Sequence, residues 1–139
     1  MREPQPDVLS APTTRDDKTM PMVVYGLYLA GLITGGLTSV VGVIMAYAMK
    51  DGSSERACSH YIFQIRTFWL SLVWALALGA LGLIGLPLAI LTFGLLSWAV
   101  AVPWGLLGLL GFWFLVRCIL GLTYIAREEP YPRPRAWLF

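Results

Sequence analysis

The sequence predicts an all-α fold, an integral membrane helical bundle of three to four transmembrane or re-entrant helices. Two long runs, residues 19–49 and 67–116, contain no Lys, Arg, Asp or Glu. The whole chain is 58% hydrophobic and 13% charged, whereas a soluble domain carries about 25% charged residues. Because the two runs are apolar on every side, they are expected to contact lipid.

The charged and proline-rich ends of the chain divide it into three parts. Residues 1–19 mix Pro, Asp and Arg without an apolar stretch, which is typical of a flexible N-terminal tail and not of a signal peptide. Residues 20–127 form the predicted membrane domain, and residues 128–139, with three prolines, form an extended C-terminal tail. The net charge of +2 gives no reason to expect nucleic acid as a partner.

The first apolar run allows two arrangements. Residues 20–49 suffice for one tilted span, since about 28 helical residues exceed a 30 Å hydrocarbon core. Alternatively, the run forms a hairpin of helices 20–34 and 37–49 that turns at Gly35 and Gly36. Each hairpin arm is about 20 Å long, so the hairpin would be re-entrant or would need a thinner bilayer.

A polar linker at residues 50–56 precedes a helix predicted over residues 57–84. Ser53 or Ser54 is the expected N-cap, with Glu55 in the first turn. Along this helix His60, Gln64, Thr67 and Ser71 recur at helical spacing. They form one polar stripe, which should face other helices or interfacial water.

The second apolar run is expected to hold two helices with a turn near residues 85–87. A helix over the remaining residues 88–126 would be about 58 Å long, which is too long for one span. Either it breaks near Pro103, or the turn lies later and residues 88–102 extend both arms.

The charge layout predicts the orientation. Residues 50–66 and 117–139 flank two charge-free spans and therefore share one side of the membrane. Basic residues near span ends stay in the cytoplasm, so the linker and the C-terminus are predicted to be cytoplasmic. Their basic residues are Lys50, Arg56, Arg66, Arg117, Arg127, Arg133 and Arg135.

Two arginines at the ends of apolar helices are candidate ligand-binding residues. Arg66 and Arg117 either extend toward lipid phosphates or turn inward to pair with Glu55 or Glu128, or to hold an anionic headgroup. Arg117, Gly121, Tyr124 and Glu128 share one helical face. The candidate cytoplasmic-side binding face comprises His60, Gln64, Arg66, Arg117, Tyr124, Glu128 and Tyr131.

The sequence presents no pattern that predicts catalysis, a metal site or a cofactor. His60 is the only histidine, and Cys58 and Ser59 would lie on different helical faces from it. Cys58 and Cys118 have no metal-ligand spacing and are expected to be free thiols. The spans lack the ionisable residue that ion-coupled transporters keep at mid-depth.

Small and aromatic residues predict how the helices pack. Gly31 and Gly35 form a GxxxG motif, and Gly105, Gly108 and Gly111 recur every three residues. We expect these glycines to pack within the bundle and not to form a dimer seam. Aromatic residues near the predicted span ends, including Tyr25 and Tyr131, fit an interfacial belt.

Four segments together resemble a known family: AYAMKDG (46–52), SHYIFQIRTFW (59–69), VRCILGL (116–122) and EEPYPRPRAWLF (128–139). Over residues 22–139 the chain resembles a family of small, uncharacterised bacterial multi-pass membrane proteins. That family is grouped distantly with the chloroplast import component Tic-twenty, a four-helix inner-envelope protein. The resemblance implies no activity. It draws attention to Ser59, His60, Phe63, Gln64, Arg66, Arg117, Gly121, Glu129, Pro130, Tyr131 and Pro132.

The leading functional hypothesis is a non-enzymatic accessory or assembly subunit of the bacterial inner membrane. Its expected partners are the bilayer, anionic lipid headgroups, and either another membrane protein or further copies of itself. The alternative hypothesis is a pore or translocation component, by analogy with the import family. A pore would need a continuous polar path, and the spans offer only Ser71, Thr92 and Ser97 for it.

Overall fold

The computed structural model describes residues 18–137, which form four α-helices and no strand. The helices are α1 (Thr19–Ile33), α2 (Leu37–Lys50), α3 (Glu55–Leu91) and α4 (Trp98–Ala126). Of these, α3 and α4 are long and apolar enough to cross a membrane. The predicted N-terminal tail, except for Lys18 and Thr19, lies outside the described residues.

Helices α1 and α2 form an antiparallel hairpin, which is the second of the two arrangements allowed for residues 20–49. Gly35 and Gly36 make the turn with φ of 66° and 95°, backbone angles that cost a residue with a side chain about 1–2 kcal/mol. The Gly36 amide donates to the Gly31 carbonyl at 2.7 Å and closes the end of α1. The Thr38 hydroxyl crosses the hairpin and donates to the Leu27 carbonyl at 2.8 Å.

Helix α3 begins as predicted and ends later than predicted. The Ser54 hydroxyl caps it by accepting a hydrogen bond from the Ala57 amide at 3.3 Å. The predicted turn at residues 85–87 is wrong, because α3 continues through Pro87 to Leu91. The glycines there have another role: a methyl group at Gly85 would lie 2.5 Å from the Ala99 carbonyl oxygen, so glycine permits close contact between α3 and α4.

The chain reverses direction at residues 92–97, and helix α4 begins at Trp98. Residues 88–102 therefore lengthen both α3 and α4. This is the second alternative predicted from the sequence, in which the turn lies later. The predicted break near Pro103 is wrong. Pro103 is the sixth residue of α4, and the helix continues through it. Because proline has no amide hydrogen, the helix lacks the i→i−4 hydrogen bond that a residue at this position would donate to the Ala99 carbonyl.

The hairpin packs against one half of the α3–α4 pair. A buried core joins it to the first part of α3 and the last part of α4, and it includes Tyr25, Tyr28, Phe63, Phe68, Phe114, Cys118 and Ile125. Beyond the hairpin, only Gly82, Gly85 and Pro103 are buried between residues 71 and 113. All charged side chains of the described residues consequently lie at the end of the molecule that holds the hairpin.

The packing predicted for the glycines and for Tyr25 is correct only in part. Gly31 packs against Ser39 within the hairpin, but a methyl group at Gly105, Gly108 or Gly111 would meet no atom within 4 Å. These three glycines do not pack inside the bundle. Tyr25 is buried in the core and does not lie in an exposed aromatic belt, because Gly121 leaves space for its ring.

Candidate functional site

His60 lies at the centre of a buried polar cluster between α1, α3 and the C-terminal tail. Its Nε2 is 3.0 Å from the Glu129 carbonyl oxygen, and its Nδ1 is 3.2 Å from the Tyr25 hydroxyl. Because a carbonyl only accepts, Nε2 carries the proton and the Tyr25 hydroxyl donates to Nδ1. Both ring nitrogens of this fully buried imidazole are therefore used to join α1 and the tail to α3.

Gln64, one turn further along α3, is also hydrogen-bonded to α1. Its side-chain amide donates to the Pro21 carbonyl at 2.8 Å, and its backbone carbonyl accepts from the Tyr28 hydroxyl at 3.0 Å. The Gln64 Oε1 atom is buried without a hydrogen-bond partner. Tyr25 and Tyr28 of α1 are thus hydrogen-bonded to His60 and Gln64 of α3.

Arg117 is fully buried and faces inward from α4. Its Nε donates to the Thr67 hydroxyl at 3.0 Å, and a terminal nitrogen donates to the Trp137 carbonyl at 3.0 Å. The guanidinium carbon lies 4.1 Å from the ring centre of Phe63 and 4.9 Å from that of Trp113. Planar stacking together with forked donation is what distinguishes arginine from lysine, so this position uses the specific chemistry of arginine.

Aromatic stacking holds the tail against the same helices. The Tyr131 ring stacks on Phe63 with ring centres 3.8 Å apart and meets the edge of Tyr124 at 5.3 Å. The Tyr131 amide donates to the Ser59 hydroxyl at 3.0 Å. Partial burial raises the pKa of the Tyr131 hydroxyl, and the nearby Arg117 charge opposes that rise.

Glu128 lies at the surface, where it connects the end of α4 to the start of α1. Its carboxylate is 2.8 Å from Lys18 Nζ and 3.9 Å from an Arg56 nitrogen. The hydrogen bond from Lys18, and then the charges of Lys18 and Arg56, lower the pKa of this carboxyl group below 4.5. The predicted pairing of Arg117 with Glu128 is not formed: Glu128 pairs with Lys18 and Arg56.

Arg66 stands apart from the cluster. Its guanidinium carbon lies 6.0 Å from the ring centre of Trp137, and its Nε is buried without a hydrogen-bond partner. The seven predicted site residues therefore divide into three groups. His60, Gln64, Arg117, Tyr124 and Tyr131 form or border the buried cluster, Glu128 is a surface ion pair, and Arg66 lies beside the tail.

Hydrogen bonds engage the remaining polar groups beside the cluster as well. The Ser59 hydroxyl donates to the Arg56 carbonyl at 2.6 Å while it accepts from Tyr131, so it is engaged on both sides. Cys58 and Cys118 are free thiols. Within residues 18–137, no group of three or more His, Cys, Asp or Glu side chains is placed to hold a metal ion.

The sequence alone did not identify Tyr25, Tyr28 and Pro21 as members of this cluster. The one available signal was the spacing of the two tyrosines, which puts both on one face of α1 and so toward a common neighbour. The involvement of Pro21 rests on a backbone carbonyl, which no residue pattern reveals.

The chain matches no protein-family model, no curated protein and no solved structure.

Proposed function

We propose that this chain is a multi-pass protein of the bacterial inner membrane that acts as a non-enzymatic accessory or assembly subunit. In this proposal α3 and α4 cross the bilayer, and the α1–α2 hairpin enters from the cytoplasmic side and returns to it. The C-terminal tail lies on the cytoplasmic face. The resemblance to the bacterial membrane protein family remains a prediction that agrees with this arrangement.

The observation that carries the proposal is the exposure of the apolar helices. Only 17% of the residues in the most apolar window of α3, and 22% in that of α4, are buried within the chain. The core helix of a soluble protein is mostly buried, because its apolar side chains must avoid water. Large side chains such as Leu91, Leu83 and Phe112 are mostly exposed here, which favours lipid as their surroundings.

The lengths of the charge-free segments support two full spans. Residues 67–91 of α3 extend about 37 Å and residues 98–116 of α4 about 28 Å, against a hydrocarbon core of about 30 Å. Thr67 and Arg117 are hydrogen-bonded to each other. The charge-free part of α3 therefore begins at the same depth at which that of α4 ends. That level fits the cytoplasmic boundary of the hydrocarbon, with the basic residues on its outer side.

The threonine hydroxyls at the hairpin tip have hydrogen-bond partners within the hairpin. The Thr34 hydroxyl donates to the Ala30 carbonyl at 3.1 Å, and the Thr38 hydroxyl donates to the Leu27 carbonyl. Polar groups at membrane depth need such internal partners. Around the tip, Ile33 and Leu37 are strongly exposed and apolar, which suits contact with acyl chains.

An accessory role agrees with how the polar residues are used. His60, Gln64 and Arg117 hold the hairpin and the tail in place, which makes the cytoplasmic end a rigid platform. A pore is less well supported, because the polar residues of the spans do not line a common path. Ser71 borders a cleft of about 700 Å³ beside the hairpin tip, whereas Thr92 and Ser97 lie at the far turn.

Cysteine labelling in intact cells tests the topology. In a Cys58→Ser background, Leu95→Cys at the α3–α4 turn should react with an impermeant maleimide, and Ser53→Cys should react only after the membrane is permeabilised. A reporter fused at residue 1 should be active in the cytoplasm. Labelling of both cysteines from outside, or periplasmic activity of the reporter, would contradict the proposed arrangement.

Affinity purification in a mild detergent tests the accessory role. A membrane protein recovered in a fixed ratio with this chain would support it. The recovery of homo-oligomers alone, with ion flux in reconstituted vesicles, would instead favour the pore hypothesis.

A further inference from the structure

A second groove runs along the other side of the α3–α4 pair and is apolar over its length. Its volume is about 400 Å³, and we call it the tail-side groove. Leucines and tryptophans of both helices line it, together with one tryptophan of the tail: Leu70, Trp74, Leu78, Leu106, Leu109, Leu110, Trp113 and Trp137. It opens laterally toward the proposed bilayer.

Each helix that lines the tail-side groove carries an arginine one turn beyond a lining residue, at the proposed cytoplasmic end. Arg66, Leu70, Trp74 and Leu78 follow one another at intervals of four residues, so they share one face of α3. On α4, Trp113 lines the groove one turn before Arg117 and stacks with it. The groove therefore combines a cationic end with an apolar body.

The two arginines differ in what they hold. Arg117 is engaged by Thr67 and by the tail carbonyls. Among residues 18–137, no carboxylate or carbonyl accepts a hydrogen bond from Arg66, and its guanidinium lies over the Trp137 ring. A half-buried guanidinium without an anion at a membrane boundary is suited to bind a phosphate, which accepts two parallel hydrogen bonds from it.

The length of the groove matches one leaflet. From Arg66 to Leu78 the helix rises about 18 Å, and half of a hydrocarbon core is about 15 Å. We propose that the tail-side groove binds one anionic phospholipid of the cytoplasmic leaflet, with its phosphate on Arg66 and one acyl chain along the leucine and tryptophan walls. This inference rests on the proposed membrane location.

The charge of the site selects among lipids. A second cation, Arg117, lies at the same end of the groove, so a headgroup with a net negative charge is favoured over a zwitterionic one. The tail also takes part, because Trp137 lies against Arg66 and lines the groove at once. Bound lipid would thus stabilise the docked tail.

Native mass spectrometry of the full chain tests the proposal. The protein is transferred from mixed phosphatidylglycerol and phosphatidylcholine vesicles into detergent, and the lipid that stays bound is counted. The wild-type chain should retain one phosphatidylglycerol in preference to phosphatidylcholine. Arg66→Gln should bind it about tenfold more weakly, the scale of one lost hydrogen bond to a charged group. The matched control Arg127→Gln, an exposed arginine outside the groove, should bind like wild type.

A second pair of variants tests the acyl-chain part. Leu109→Trp fills the groove and should abolish retention, whereas Leu83→Trp, on an exposed position of α3 outside the groove, should not. Equal retention of both lipids, an equal loss in Arg127→Gln, or displacement by inorganic phosphate alone would each overturn the proposal. The cysteine-labelling experiment distinguishes failure of the lipid site from failure of the proposed topology. If the chain has the proposed topology but retains no lipid, only the lipid site is refuted.

Discussion

Gly121 of α4 lies directly against the phenol ring of Tyr25 of α1, with no space for a larger residue between them. Tyr25 is buried, and its hydroxyl donates to the imidazole of His60. One glycine therefore allows α1 to approach α4 closely enough for a tyrosine of the first helix to reach the only histidine. The hairpin and the polar cluster depend on this contact.

The substitution Gly121→Ala should destabilise the protein. A methyl group there would overlap the Tyr25 ring, and relief by moving the ring would break its hydrogen bond to His60. Overpacking of this kind costs about 1–3 kcal/mol. Thermal unfolding in detergent, followed by circular dichroism, should show a lower Tm than that of the wild type.

Gly108→Ala is the matched control for this change, in the same helix. A methyl group at Gly108 would meet no atom within 4 Å. The variant should be as stable as the wild type or gain up to about 1 kcal/mol, since alanine is the better helix former. If both variants lowered the Tm equally, the contact with Tyr25 would not be the cause.

The hairpin and the incorrect turn show which features a sequence reveals. Gly35 and Gly36 form a turn because both adopt positive φ, and paired glycines inside an apolar run predict such a turn. Gly85 gave a similar signal, but it permits α4 to approach instead. A glycine signals either backbone freedom or close packing, and only the position of the neighbouring helix separates the two.

The candidate site was predictable to a similar degree. Helical spacing correctly put His60, Gln64 and Thr67 on one stripe, because that spacing is local. It did not reveal that Arg117 would bind the carbonyls of Ala136 and Trp137. Such contacts depend on how the tail folds back over the helices. Every residue has a backbone carbonyl, so residue type does not indicate which carbonyls accept a hydrogen bond.

Arg117→Lys should release the C-terminal tail. Lysine keeps the charge but loses both the stacking on Phe63 and the forked donation to the tail carbonyls. The expected cost is about 1.5–3 kcal/mol, the value of hydrogen bonds to a charged group. Hydrogen–deuterium exchange of residues 129–137 should become faster, while Arg127→Lys, an exposed position, should leave it unchanged. Unchanged exchange in Arg117→Lys would mean that aromatic stacking alone holds the tail.

Thr38→Val should weaken the hairpin. The change removes the hydroxyl that crosses from α2 to the Leu27 carbonyl of α1 and keeps a side chain of the same shape. The expected loss is about 0.5–1.5 kcal/mol, measured as a lower Tm. The control is Thr123→Val, whose hydroxyl bonds only to the Leu120 carbonyl of its own helix. A loss of the same size in the control would show that the bond across the hairpin stabilises the protein no more than a bond within one helix.

The ion pair of Glu128 and Lys18 should make stability depend on acidic pH. Because Lys18 and Arg56 hold the pKa of Glu128 below 4.5, the folded state binds this proton less readily than the unfolded state. The resulting stabilisation is fully present above pH 4.5 and is lost as the pH falls through the lowered pKa. Its size is small, since exposed pairs contribute little. The Tm of the wild type should therefore fall slightly more on acidification than that of Glu128→Gln, and high salt should reduce the difference. Parallel Tm curves for the two proteins across this pH range would exclude a contribution from the pair.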